Sequence, residues 1–205
     1  GSYNRSIEQD KTVPVIGAAE LQTLAVTYNR IFEENLETQR LIRHEAEHDA
    51  LTDLLNRSSF DKALALYSQG SINFALILVD VDRFKSVNDT YGHAVGDEIL
   101  RRVAKRLKES FRSTDYVFRI GGDEFAVLMM DVSEAFRHTV EEKLASLKKG
   151  LVCPEEGLPE ITLSIGVAFS DRKDPGESIF KDGDQALYYV KKHGKDGTCF
   201  YEENM

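Results

Sequence analysis

The chain has 205 residues, 41% hydrophobic and 30% charged, with a formal net charge of -9. That length suits one globular domain plus an appendage, and the balance of residue types excludes a disordered chain. The acidic sum excludes the broad basic face that nucleic-acid binders turn toward phosphate backbones, though not a local site for a single nucleotide.

Residues 1–15 are polar and irregular, with Pro14 as a breaker. A helix is predicted over 18–47, where Leu21, Leu24, Tyr28 and Ile31 recur at three- and four-residue steps and the stripe continues through Leu36 and Leu41 or Ile42. The drift of that stripe suggests a coiled coil with a break in its heptads. A lone amphipathic helix is poorly stable, so a second copy of the chain is its expected partner. The globular part is expected to begin at His48, with turn formers over 48–57 and a helix over 58–68. Asn73 to Val79 is an apolar run of strand length, readable as a buried central strand. Residues 80–96 read as polar and turn-rich, and a helix follows over 97–111. Strands are predicted over 116–120 and 124–130, around Gly121-Gly122, a hairpin signal whose glycines allow positive φ and a close backbone approach to a ligand. A helix over 133–149 takes Ser133 as its N-cap. A strand over 161–169, a helix over 178–193 and a strand over 198–201 complete the chain. The order contains a strand–helix–strand–strand–helix–strand core, so the expected fold class is α+β, ferredoxin-like, with an antiparallel central sheet flanked by helices and a long helix in front.

Cys153 and Cys199 stand far apart with no metal-like spacing, and read as reduced thiols of a cytoplasmic protein. The apolar runs fall well short of the ~18 residues that span a bilayer.

Two clusters carry chemistry. In Asp80-Val-Asp-Arg-Phe-Lys85-Ser-Val-Asn88, an acid ends a buried strand, where a hard-cation ligand is a natural role. Asp82 lies two residues on with its direction unfixed, and Lys85 could neutralise phosphate oxygens. From spacing alone an acidic turn capping a helix is an equal alternative. In Arg119-Ile-Gly-Gly122-Asp123-Glu124-Phe125, two acids follow a glycine pair and would point to opposite faces of the next strand. Taken alone, this reads first as an ordinary hairpin with acidic flanks. The two clusters together say more, because a ferredoxin-like core makes the first strand and the central hairpin neighbours. Asp80 and Asp123 could then converge on one metal pair, the arrangement of two-metal phosphoryl transfer.

These blocks, 80–97 and 119–125, resemble the two signatures of the GGDEF family of diguanylate cyclases, and so do 48–57, 112–115, 161–168 and 184–195, all in the right order. The resemblance implies that Asp80 and Asp123, with the Val81 carbonyl and with Glu124 as a second acid, hold two Mg²⁺ or Mn²⁺ ions per active site. It implies that Asn88 and Asp97 read the guanine edge of GTP. Lys85, Lys191 and Lys195 would hold the β- and γ-phosphates, helped by the amides of Arg83 and Phe84. Catalytic work would fall to Asp80, Asp123, Glu124 and Lys85, with His93 nearby in the substrate site. Each 3′-oxygen would attack the α-phosphorus of the other GTP across a homodimer, giving cyclic di-GMP and two pyrophosphates. Arg112 and Asp115 stand at the family's product-inhibition spacing, a structural ion pair being the alternative.

Three positions depart from the family pattern: Asp53 where Gly is usual, Lys195 where Arg is frequent, and Asp196 where Asn is usual. The stretch Glu20–Asn29 looks like the second helix of a HAMP signal-transmission module, with a generic dimerising helix as the alternative reading. The chain opens on Gly1-Ser2 without an initiator Met. The expectation is therefore a fragment: a tail and signalling helix over 1–47 and a GGDEF domain over 48–205, from a parent anchored in a bacterial inner membrane behind an upstream sensor. Competing readings are a module that senses GTP or cyclic di-GMP without turnover, a relay whose coiled coil is the working part, and a cyclase with a single-nucleotide product.

Overall fold

The structure is a computed structural model that describes residues 18–152, 158–173 and 175–202. The polar stretch over 1–15 with Pro14, and Cys153, lie outside those residues; Cys199 carries a free thiol. The chain divides into two units, Gly1–Ala46 and Glu47–Met205. The first contains nearly all of helix α1 (Ala19–Glu47), whose apolar residues Leu21, Leu24, Ile31, Leu41 and Ile42 are exposed within their unit. Among the described residues no helix is long and apolar enough to cross a membrane.

The second unit is built on a five-stranded sheet in the order β2-β3-β1-β4-β5, comprising β1 (Phe74–Val81), β2 (Tyr116–Arg119), β3 (Glu124–Met130), β4 (Leu163–Phe169) and β5 (Thr198–Phe200). Neighbours run antiparallel except β4 and β5, which are parallel. The first four strands have the ferredoxin-like arrangement, with β5 added at one edge. All eight residues of β1 are buried, because helices cover both faces of the sheet. Ala75, Ile77, Val79 and Val81 pack with helices α4 (His93–Ser110) and α5 (Arg137–Val152). Phe74, Leu76 and Leu78 pack on the other face with Phe60 of α2 (Arg57–Ser68) and with Ile179 and Leu187 of α6 (Ile179–Lys192). A strand covered twice needs apolar residues at every position, hence the unbroken apolar run.

Local chemistry sets the helix starts. Asn56 caps α2 by accepting from the Ser59 amide at 3.0 Å, and Ser178 caps α6 by accepting from the Lys181 amide at 3.2 Å. Ser133 makes no such bond: a 3-10 turn over Glu134–Phe136 precedes α5, and the Glu134 amide goes to the Asp171 carboxylate. The region predicted as turn, 80–96, contains helix α3 (Phe84–Tyr91) and the first turn of α4, which meet at Gly92 with φ +86°. Its Asn, Asp and Thr residues are weak helix formers, but Phe84, Val87 and Val95 pack on the core and outweigh them. Asp53, in place of the family's glycine, takes φ 59°, a left-handed backbone that glycine adopts without penalty.

Glycine is required at Gly166 in β4, where α6 lies directly on the strand. A Cβ there would stand 2.3 Å from the Gly183 carbonyl oxygen and 2.4 Å from the Leu187 nitrogen. Both obstacles are backbone and cannot turn aside. Gly166→Ala should therefore destabilise the domain by about 1–3 kcal/mol or more in urea unfolding, whereas an unchanged midpoint would mean that α6 moves freely off the sheet.

Candidate active site

The site lies where β1 ends between β3 and β4. Asp80 is paired with Glu124 on one side and Ser164 on the other. The hairpin that closes β2 to β3 is held by the Ile120 and Gly121 amides, which both donate to the Glu124 carbonyl. It is joined to β1 by the Val81 amide, which donates to the Asp123 carbonyl at 3.1 Å. Asp80, Asp123 and Glu124 thus gather around one strand end. Burial pushes the Asp80 carboxyl above the usual carboxylate range; Lys191 opposes that shift, and the charges of Asp123 and Glu124 add to it. Lys191 near the end of α6 places its Nζ 2.6 Å from Asp80 Oδ2.

Neither hairpin glycine adopts positive φ, and only Gly121 acts by size. A Cβ on Gly121 would lie 2.6 Å from a Glu124 carboxylate oxygen, while the space over Gly122 is open. Arg119 fixes this turn from behind. Its guanidinium donates to the Gly122 carbonyl at 2.8 Å and to Asp49 Oδ1 at 2.9 Å. Burial pushes the Asp49 carboxyl up, but hydrogen bonds from Thr52 and Arg119, together with the Arg119 charge, outweigh it and hold the group below its ordinary range. The link from Asp49 through Arg119 to Gly122 is not evident from the sequence, because its ends are 70 or more positions apart.

The remaining predicted residues fall on three neighbouring segments. Arg83 stands at φ 55° just before α3, and Phe84 and Lys85 open that helix. Asn88 follows on α3, His93 is the first residue of α4, and Asp97 lies one turn further along. Asn88 lies against α4 at Gly96, a residue the sequence reading passed over. A Cβ on Gly96 would lie 1.9 Å from Asn88 Oδ1, so only glycine lets the Asn88 side chain lie against α4. That Oδ1 is buried against Gly96 and has no hydrogen-bond partner among the described residues. Lys195 sits in the loop after α6, at φ 65°.

Arg112 and Asp115 lie away from this cluster, between α4 and β2. The Asp115 carboxylate accepts from the backbone amides of Arg112 and Met130, each at 2.9 Å. It holds the turn and leaves the Arg112 side chain exposed, which is not the plain surface ion pair weighed as the alternative. The two residues border a cleft of about 460 Å³, also lined by His48, Lys108 and Phe111.

The donor types at the main cluster are those a divalent metal takes. The donors are all oxygen, two or three carboxylates beside a backbone carbonyl at Val81, which suits Mg²⁺ or Mn²⁺. A divalent ion would also favour the ionised Asp80 that burial, with a smaller part from the Asp123 and Glu124 charges, disfavours.

Comparison with known proteins gives a consistent result. A family model described as "Diguanylate cyclase, GGDEF domain" matches residues 46–197. Diguanylate cyclase TpbB of Pseudomonas aeruginosa is 32% identical over 218 residues, covering 99% of this chain and 50% of the relative. Diguanylate cyclase DosC of Escherichia coli is 36% identical over 173 residues, covering 82% and 38%. The chain thus spans half or less of the length of these curated relatives. A crystal structure of the coiled coil and GGDEF domain of DgcB from Caulobacter crescentus, in complex with c-di-GMP, superposes with a TM-score of 0.75 at 28% identity, covering 88% of this chain and 99% of that one.

The raised Asp80 carboxyl has a testable consequence. A folded-state value above the unfolded 3.8 means that ionised Asp80 opposes folding, fully at pH values above the folded value and not at all well below 3.8. Asp80→Asn should then raise the melting temperature at pH 7. The gain should vanish in acid. A loss of stability that is the same at every pH would contradict this.

Proposed function

The chain belongs to the GGDEF family of diguanylate cyclase domains, and on that premise we propose that it condenses two GTP molecules into cyclic di-GMP. The observation that carries the proposal is the gathering of Asp80, Asp123 and Glu124 at one strand end. Asp80, Asp123 and the Val81 carbonyl would hold Mg²⁺ or Mn²⁺, two per site, with Glu124 as a further ligand or as the acceptor of the 3′-hydroxyl proton. When bound, the metal supplies charge neutralisation at the phosphates.

The protein's own work is positioning. Asn88 and Asp97 would receive the guanine edge: a carboxylate accepts from N1–H and the 2-amino group, and an amide both donates and accepts, a pattern adenine cannot match. Lys85, Lys191 and Lys195, with the amides of Arg83 and Phe84, would hold the terminal phosphates. Lys191 would exchange its contact with Asp80 for phosphate oxygen. His93, exposed at the start of α4, stands at the rim of this region.

One domain would present one activated GTP, so the complete reaction needs two domains face to face. The exposed apolar stripe of α1 supports a coiled coil between two copies, and the match to a coiled-coil-plus-GGDEF structure supports the same reading. A helix of this kind would carry a signal from an upstream sensor in a longer, membrane-anchored parent, with the catalytic domain in the cytoplasm. The exposed Arg112 beside the Asp115 turn would take cyclic di-GMP as a product inhibitor: guanidinium on phosphate or guanine face, carboxylate on guanine N–H groups.

Incubation with GTP and Mg²⁺ tests this. The expected result is cyclic di-GMP, with specific activity that rises with protein concentration, and loss of at least about a hundredfold in Asp123→Ala. In the same progress curves Arg112→Ala should remove the late slowing as product accumulates. Binding of GTP with no cyclic product at high protein concentration would favour a sensing module instead.

A further inference from the structure

Asp82 belongs to the motif that supplies Asp80, yet its carboxylate faces elsewhere. It is 5% exposed and accepts three hydrogen bonds. The Ser164 hydroxyl donates to Oδ1 at 2.6 Å, and the Thr162 hydroxyl to Oδ2 at 2.7 Å. The third donor is the backbone amide of Asp196, 114 positions away, at 3.0 Å from Oδ2. Strand pairing does not account for that third bond, because the Asp82 amide already joins the residue before β4 by donating to the Thr162 carbonyl at 3.0 Å.

The segment it grips is unusual. Gly194, Lys195 and Asp196 stand at φ 109°, 65° and 46°, three consecutive residues in the left-handed region, two of them bearing side chains that disfavour it. Such a run persists only where its surroundings impose it. Here the Lys195 amide donates to the Val190 carbonyl at 3.0 Å, the Asp196 amide is taken by Asp82, and the Asp196 carboxylate is paired with Lys148 of α5 at 2.8 Å. Lys195 lies between the first two anchors, so its direction is set by them. The Gly197 carbonyl then accepts from Ile165 and leads the chain into β5.

We propose that Asp82 is a positioning residue: its buried carboxylate fixes the left-handed turn at 194–196 and so aims the Lys195 ammonium at the terminal phosphates of the nucleotide. The inference rests on the reading of Lys195 as a phosphate-holding residue. It adds a selective consequence, because only nucleotides that carry β- and γ-phosphates should sense Asp82.

The test compares the affinity of 3′-deoxy-GTP, which lacks the attacking hydroxyl, with that of GMP, both in Mg²⁺, by calorimetry. Asp82→Ala should weaken 3′-deoxy-GTP about tenfold, the value of a lost charge-assisted phosphate contact, and leave GMP unchanged. Lys195→Ala should give the same selective loss, and the double variant should be no worse than Lys195→Ala alone. Asp82→Asn should restore most of the affinity. Its carbonyl oxygen can keep the Asp196 amide while its NH₂ donates to the Ser164 hydroxyl. Equal weakening of both nucleotides by Asp82→Ala would assign Asp82 a general structural role and overturn the proposal. So would losses that multiply in the double variant, or no loss at all. If Lys195→Ala leaves 3′-deoxy-GTP affinity intact, the phosphate role of Lys195 fails and the inference falls with it; failure of the Asp82 variants alone leaves that role standing. Should Asp82→Ala not fold, Thr162→Val removes a donor from the same oxygen. A smaller loss confined to the triphosphate supports the proposal, and a loss shared by both nucleotides overturns it.

Discussion

The structure depends on one constraint: a strand buried on both faces ends in a carboxylate. From Phe74 to Val79 the residues of β1 are apolar because helices cover both sides of the sheet. The chain then places Asp80 at the rim of that apolar layer, where water is scarce and two further acids, Asp123 and Glu124, are close. Such a cluster is electrostatically unfavourable by itself. Lys191 compensates for part of it, and the remaining repulsion is what a divalent ion would relieve.

The surrounding parts keep that strand end accessible and fixed. Arg119 ties the Gly122 carbonyl to Asp49 in the turn that opens the domain. Gly96 lets Asn88 lie against α4 next to Asp97. Asp82 reaches to the turn after α6 that carries Lys195. Segments from four parts of the chain therefore meet at one place through contacts made largely by backbone and buried polar groups, while α1, a separate unit, carries an exposed apolar stripe of its own.

Much of this was legible in the sequence. The unbroken apolar run marked β1, the Gly-Gly turn marked the hairpin, and the order of elements implied the ferredoxin-like arrangement that the sheet adopts. The resemblance to the family's two signatures, more than spacing alone, pointed to the residues around Asp80 and Asp123. What escaped had physical causes. Helix α3 was hidden because Ser86, Asn88, Asp89 and Thr90 are poor helix formers, and its stability comes from Phe84 and Val87 packing on a core that no local window displays. Ser133 has the right chemistry for a cap, but the Phe136 amide that its side chain would take donates to the Ser133 carbonyl in the 3-10 turn. Gly121 and Gly122 read as positive-φ glycines, whereas the structure uses the missing Cβ of Gly121 to seat Glu124. The direction of Asp82 could not be read at all, because its three donors come from β4, the segment before it and the turn after α6.

The central claim is that Asp80 and Asp123 act on the same cations. Titration of Mn²⁺ in the presence of 3′-deoxy-GTP, followed by the electron paramagnetic resonance of free Mn²⁺, tests it directly in Asp80→Asn, Asp123→Asn and the double variant. Shared ligation predicts that either single change removes most of the tight binding and that the second adds little. Unaltered Mn²⁺ binding in both single variants would contradict the account.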